Sequence, residues 1–132
     1  MENNKKQNIA TEDYLETLYE LEIEKKQLSV TNIASKLKIS KPSVSEMIKK
    51  LAKENFVIYE KYKEITLTEK GRKIGKNINH KHKVLEDFFD ILSVNKSIQL
   101  ENIHGIEHHL DQETIDKIEK LNHYLKELKY KG

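Results

Sequence analysis

The residues with the clearest potential for chemistry lie in the stretch His104-Gly-Ile-Glu-His-His109. His104, Glu107 and His108 are spaced at i, i+3 and i+4, so a helix would place all three on one face. Imidazole nitrogen and carboxylate oxygen are suitable ligands for Mn²⁺, Fe²⁺, Co²⁺ and Zn²⁺. The chain has no Cys, which excludes thiolate zinc sites, Fe–S clusters and disulfides. The spacing therefore predicts a divalent-metal site with nitrogen and oxygen ligands.

Three residues in other segments are candidates for the same site. Asp13 and Glu16 are one turn apart near the start of the first predicted helix, and His82 lies on a long predicted helix. These segments could converge on one polar site, although each residue alone is more typical of an ordinary surface side chain. The remaining histidines are interpreted as surface groups or as groups that support the ligands: His80, His109 and His123.

The same letters also fit the H-x-x-E-H pattern of inverted zinc peptidases. In that alternative His104 and His108 would bind zinc, and Glu107 would be the general base. The pattern is short and therefore weak, and the rest of the chain offers no evident cleft for a small organic substrate. We therefore do not expect an enzyme.

The elements that would carry these residues are mostly helical. Thr11 is predicted to cap a helix that runs to about Lys26. Residues 30–37 and 41–55 form two helices joined by a short link, with Pro42 in the first turn of the second helix, as in a helix-turn-helix. The pattern in residues 57–67 then predicts a two-stranded wing with a basic tip. A long helix to about Leu92, a short one over 97–110 and a last one capped by Asp111 complete the chain.

The second helix of this motif has a polar and basic face that could contact double-stranded DNA. Hydroxyl and lysine side chains suit phosphates, and Ser45 or Glu46 could reach base edges. Lysines at the wing tip are placed for backbone or minor-groove contact. The candidate DNA-binding residues are Ser40, Lys41, Ser43, Ser45, Glu46, Lys49, Lys50, Lys61 and Lys63.

The charge distribution supports a polyanion contact in the middle of the chain. Residues 36–76 carry twelve Lys and Arg against five Asp and Glu, a balance of +7, although the whole chain has a net charge of only +2. The segments on either side are acidic. A localised basic region favours nucleic-acid binding, although a lysine-rich solvated face and a winged helix used for protein contacts remain alternatives.

We expect a mainly α protein, with a winged helix-turn-helix domain over residues 1–75 and a helical dimerisation and metal-binding domain over 76–132. The apolar faces of the last helices exceed what one small subunit can bury, which predicts a homodimer. No apolar run approaches the roughly 20 residues of a membrane span, and the N-terminus lacks a signal-peptide core. A cytoplasmic protein without membrane partners is expected.

Five short motifs resemble those of the diphtheria toxin repressor family, and in particular its manganese transport regulators. Their order and spacing make the resemblance specific. The motifs are Thr11-Glu-Asp-Tyr-Leu-Glu-Thr-Leu-Tyr19, Lys41-Pro-Ser-Val-Ser-Glu-Met47, Tyr59-Glu-Lys-Tyr62, Leu67-Thr-Glu-Lys-Gly71 and Gly105-Ile-Glu-His-His-Leu110.

The resemblance implies a homodimer that binds palindromic operators when loaded with Mn²⁺ or Fe²⁺ and represses genes for metal uptake. It assigns the metal ligands to six positions. These are Asp13, Glu16, His82, position 104, Glu107 and His108. The sequence alone leaves a metal-independent winged-helix regulator as the alternative.

Position 104 departs from the family pattern, because the manganese regulators have a carboxylate there and the iron-responsive ones a Cys, whereas this chain has His. Imidazole removes one negative charge from a site for two cations. It is also a softer donor, which shifts the expected preference from Mn²⁺ towards Fe²⁺, Co²⁺ or Zn²⁺. Asp13, a hard oxygen donor, still favours Mn²⁺. We therefore expect Mn²⁺ first, Fe²⁺ next, and binding that weakens in mild acid as histidines protonate.

Overall fold

The computed structural model describes residues 8–60 and 64–131, with side chains described up to residue 129. These residues form six helices and one two-stranded sheet. In chain order the elements are α1 (Ile9–Ile23), α2 (Val30–Leu37), α3 (Lys41–Lys53), β1 (Val57–Ile58), β2 (Thr66–Leu67), α4 (Glu69–Ile91), α5 (Lys96–Ile106) and α6 (Gln112–Lys131). The chain forms two compact units, Met1–Asn77 and Ile78–Gly132. The expected mainly α fold with a small wing is confirmed.

The helix-turn-helix of the first unit is shaped by two short capping arrangements. Lys38 ends α2 in the left-handed region (φ 58°), and its N–H donates to the carbonyl of Ala34. Ser40 then caps α3 by accepting a hydrogen bond from the Ser43 N–H at 3.3 Å, and Pro42 occupies the first turn as the sequence predicts. Val44, Ile48 and Leu51 of α3 are fully buried. The opposite face of α3 is therefore left to solvent.

The wing follows α3, and its two short strands lie at the two ends of the predicted hairpin, residues 57–67. Val57 pairs with Leu67 and Ile58 with Thr66 in antiparallel register. The N–H of Ile65 donates to the carbonyl of Leu28 at 3.2 Å, which ties the second strand to the loop between α1 and α2. Val57, Ile65 and Leu67 belong to the same apolar core as α1–α3.

Helix α1 begins earlier than its predicted cap. Asn8 is the N-cap, and its side chain accepts a hydrogen bond from the Thr11 N–H at 2.8 Å. Thr11 itself is only 2% exposed and lies inside the first turn. The prediction that Thr11 caps this helix is wrong because Asn8 caps a helix equally well and lies far enough ahead to add a turn. The helix ends at Ile23 rather than near Lys26.

Two polar contacts hold α4 against the rest of the first unit. Arg72 donates from Nε and Nη2 to the two carboxylate oxygens of Glu22, both at 2.8 Å. This hydrogen-bonded pairing lowers the pKa of Glu22 below its ordinary value. The Thr68 hydroxyl contacts the carbonyls of Asn55 and Phe56 and accepts from the Gly71 N–H, so the start of α4 is attached to the wing.

The second unit has its own small core. Val84 and Leu85 of α4 pack with Ile103 of α5 and Ile115 of α6. A buried hydrogen bond joins α6 to α4: the side-chain amide of Asn122 donates to the carbonyl of Val84 at 3.0 Å. No helix among the described residues combines the length and apolarity of a membrane span.

Candidate metal centre and DNA-binding face

Four of the six predicted metal ligands lie in the second unit, and Glu107 contacts two of the other three. Its side chain is only 2% exposed. His82 Nδ1 lies 2.9 Å from Glu107 Oε1, and His108 Nε2 lies 3.5 Å from Glu107 Oε2. The two oxygens of one buried carboxylate therefore contact two different imidazoles.

Helix α5 ends at Ile106, earlier than the predicted residue 110, and this changes how its ligands are presented. Glu107 is the C-cap residue and keeps a helical backbone (φ −60°, ψ −29°), whereas His108 lies in the following turn. His108 is buried and His104 is exposed, and their rings meet edge to face with centroids 5.9 Å apart. The three candidate ligands therefore do not lie on the predicted single helical face: His104 lies in the last turn of α5, Glu107 caps the helix and His108 lies in the turn that follows.

A buried lysine that the sequence analysis did not single out holds this turn in place. Lys81 is 8% exposed, and its ammonium donates to the carbonyl of Leu110 at 2.6 Å. Lys81 immediately precedes His82 on α4, so it fixes the turn after α5 against the helix that carries this ligand. A charged side chain that satisfies a backbone carbonyl has no sequence signature, because the partner is identified only after folding.

The donor set fits a divalent cation on the geometry of these residues alone. Two ligand atoms that each lie about 2.1 Å from one ion are separated by about 3 to 3.5 Å. The two separations at Glu107 are 2.9 and 3.5 Å. Nitrogen and carboxylate oxygen together suit Mn²⁺, Fe²⁺, Co²⁺ and Zn²⁺. A cation would also compensate the carboxylate, whose burial without a counter-charge costs several kcal/mol.

The other two predicted ligands lie in the first unit. Asp13 and Glu16 are one turn apart on α1; Asp13 is half-buried and Glu16 is buried. Carboxylates are normally exposed, so the burial of Glu16, which is 8% exposed, marks it as an unusual side chain.

The candidate DNA-binding residues of α3 lie on the side of the helix opposite its buried stripe. All of them are exposed except Ser45, which is half-buried. Ser40 has a structural role as the N-cap of α3, and its hydroxyl also donates to Ser43 Oγ at 2.9 Å. Lys61 and Lys63, the predicted wing contacts, lie outside the described residues.

Comparison with known proteins covers both units of the chain. Residues 9–65 match the model of the iron dependent repressor N-terminal DNA binding domain, and residues 68–131 match that of the iron dependent repressor metal binding and dimerisation domain. The chain is 42% identical over 118 residues to the HTH-type transcriptional regulator MntR of Bacillus subtilis (strain 168), covering 89% of this chain and 83% of the relative. The chain belongs to the iron-dependent repressor family.

Two further relatives agree with this assignment. The MntR of Shouchella clausii (strain KSM-K16) is 41% identical over 118 residues, covering 89% of this chain and 82% of that protein. The solved structure of the manganese regulator SloR superposes with a TM-score of 0.73 at 32% identity, covering 86% of this chain and 54% of SloR. The chain thus spans about half the length of SloR.

Family membership confirms the resemblance to the diphtheria toxin repressor family and the main functional prediction. The chain is a metal-dependent, DNA-binding transcriptional repressor with a dimerisation domain. The family consists of transcriptional regulators rather than enzymes. The zinc-peptidase alternative for His104, Glu107 and His108 is therefore set aside, as is the metal-independent regulator.

Proposed function

We propose that this chain senses Mn²⁺ and, in the metal-loaded form, binds a palindromic operator as a homodimer to repress genes for metal uptake. The observation that carries the proposal is the buried Glu107 carboxylate with an imidazole against each oxygen. That arrangement provides two neighbouring nitrogen and oxygen pairs, so Glu107 would hold a divalent cation together with His82 and His108. The MntR and SloR relatives favour Mn²⁺ as the effector.

The ligand set that we propose includes Asp13 and Glu16 of α1 with His82, His104, Glu107 and His108. Bound metal would link α1 to the C-terminal ligands and restrict how the DNA-binding heads move. Fe²⁺, Co²⁺ and Zn²⁺ are alternative effectors, because His104 replaces a carboxylate by a softer donor. Metal acts as an effector only if it binds the DNA-competent arrangement more tightly than the others.

On DNA, α3 would enter the major groove through its exposed polar face, and the wing, including Lys61 and Lys63, would contact the backbone. A dimer with twofold symmetry places two such helices about one helical turn apart, roughly 34 Å, which requires a palindromic site. We propose that residues 1–75 bind DNA and residues 76–132 bind metal and dimerise. We propose that the chain acts in the cytoplasm, as expected for a DNA-binding regulator of this family.

The test is operator binding measured by fluorescence anisotropy with Mn²⁺, Fe²⁺, Zn²⁺ or a chelator. We expect Mn²⁺ to raise operator affinity about 5- to 150-fold, the usual range of allosteric coupling. Glu107→Ala and His108→Ala should abolish this response while retaining the chelator-level affinity. His109→Ala is the matched control, because His109 adjoins His108 but is exposed.

An unchanged response to Mn²⁺ in both the Glu107 and His108 variants would overturn the proposed centre. A response to Fe²⁺ or Zn²⁺ alone would retain the centre and reject Mn²⁺ as its effector.

A further inference from the structure

A second group of potential metal ligands lies between α4 and α6 in the second unit. His80 of α4 and Asp116 and Glu119 of α6 each offer one ligand atom, and these three atoms lie within 4.8 Å of one another. His80 Nε2 is 3.3 Å from Glu119 Oε1. Asp116 and Glu119 are one helical turn apart and so share a face of α6. The group thus combines one imidazole with two carboxylates from two helices.

The positions of these side chains are fixed by the packing of α4 beside α6. Three contacts follow one another in the same order along both helices. His80 lies against Glu119, and the Val84 carbonyl accepts a hydrogen bond from Asn122. Asp87 then pairs with Lys126 at 2.9 Å. Contacts recur at nearly every turn, and the middle one is buried. The backbones that carry the three ligands are therefore held together before any cation binds.

This group is separate from the Glu107 centre. Although His80 and His82 are close in sequence, residues two apart on a helix point away from each other. α6 contributes none of the six ligands proposed above. His80 and Glu119 are 41% and 44% exposed, whereas Glu107 is 2% exposed. Three protein ligands leave part of a cation's coordination shell open, and at this exposed position water can complete it.

We propose that His80, Asp116 and Glu119 form an additional, solvent-facing divalent-cation site that joins α4 to α6. One imidazole and two carboxylates suit Zn²⁺ or Co²⁺, and a surface position predicts weaker binding than at the buried centre. Ligand atoms of one ion lie about 3 to 3.5 Å apart, so closure of the site needs rotamer adjustments of about 1 Å. Asp116 keeps its place through the Gln112 amide, which donates to Asp116 Oδ1 at 2.8 Å.

The experiment is calorimetric titration of the full chain with Zn²⁺, compared between variants of the two sites. We expect His80→Ala and Glu119→Gln each to lose one Zn²⁺ equivalent, or to bind it at least tenfold more weakly, while Mn²⁺-dependent operator binding is unchanged. Glu107→Ala should retain that equivalent. His123→Ala is the matched control, since His123 is an exposed α6 histidine that belongs neither to this group nor to the six ligands proposed for the effector centre.

Asp116→Asn provides a second route, because it removes a ligand without disturbing the His80–Glu119 contact, and circular dichroism verifies folding of every variant. Unchanged Zn²⁺ stoichiometry and affinity in Glu119→Gln and Asp116→Asn would overturn the proposal and leave His80–Glu119 as a surface ion pair. Loss of Zn²⁺ in these variants together with loss of the Mn²⁺ response would also contradict it, because the two sites would then not be separate. Failure of the Glu107 variants alone bears only on the proposed effector centre.

Discussion

At the scale of single residues, His104 is the one of the six proposed ligands whose residue type departs from what the family resemblance implies. It is exposed, whereas the neighbouring proposed ligands Glu107 and His108 are buried. An exposed imidazole can donate nitrogen to a cation but adds no negative charge, unlike the carboxylate found in manganese regulators. We therefore expect the choice between metals to depend strongly on this one side chain.

We predict that His104→Glu raises the affinity for Mn²⁺ relative to Zn²⁺ by on the order of tenfold. The substitution adds a negative charge and replaces a borderline donor by a hard one. Competition titrations with a fluorescent metal indicator measure the ratio of the two affinities. His109→Glu adds the same charge at an exposed neighbour and should leave the ratio nearly unchanged; an equal change there would indicate a general charge effect.

At the scale of elements, two glycines of α4 permit its close approach to other parts of the first unit. A Cβ at Gly75 would lie 2.3 Å from the Leu15 carbonyl oxygen, and one at Gly71 would lie 2.1 Å from that of Phe56. Both obstacles are backbone atoms, which cannot rotate away. Glycine is thus retained inside a helix, despite its poor propensity, to let α1 and the wing pack against α4.

We predict that Gly75→Ala lowers the free energy of unfolding by about 1–2 kcal/mol, because an overpacking cost of about 3 kcal/mol outweighs the gain of about 1 kcal/mol in helix propensity. Urea denaturation with a chelator present measures the change. Gly105→Ala is the matched control: a Cβ there has no atom within 4 Å. It should stabilise the chain by about 0.5–1 kcal/mol. Equal effects of the two substitutions would contradict the close-packing explanation.

At the scale of the whole molecule, charge is divided unevenly along the chain. The balance of +7 over residues 36–76 contrasts with −2 over residues 77–132, where eight Lys stand against ten Asp and Glu. Phosphate contacts release counterions, so a basic DNA-binding segment makes affinity fall steeply with salt. The acidic C-terminal segment should contribute little to this dependence.

We predict that Lys49→Gln weakens binding to operator and unrelated DNA alike and reduces the slope of log affinity against log salt by about 1. Lys49 is exposed on α3. Anisotropy titrations over a range of salt concentrations, in saturating Mn²⁺, give the slope. Lys117→Gln removes one exposed charge from α6 and should leave the slope unaltered. A similar slope for both variants would place the DNA contact elsewhere.

Much of the architecture followed from the sequence because its signals are local. Apolar periodicity, Pro42 in the first turn of α3 and the change of period after Asn55 together predicted the helix-turn-helix and wing. The His, Asp and Glu residues of the sequence likewise predicted a metal site with nitrogen and oxygen ligands. The N-terminal cap was misassigned because Asn8 and Thr11 are both good capping residues, and only the packing of Thr11 into the interior distinguishes them.

The sequence by itself determined the kinds of ligand in the His104–His109 stretch and the face of α3 left for DNA. Tertiary structure alone decided that Glu107 presents its two oxygens to different imidazoles, that Lys81 holds the following turn, and that His80 meets Glu119. The physical reason is the sequence separation over which each kind of interaction acts. Helical periodicity acts within a few residues, whereas the His82–Glu107, Lys81–Leu110 and His80–Glu119 contacts join residues 25, 29 and 39 positions apart and exist only when α4, α5 and α6 pack together.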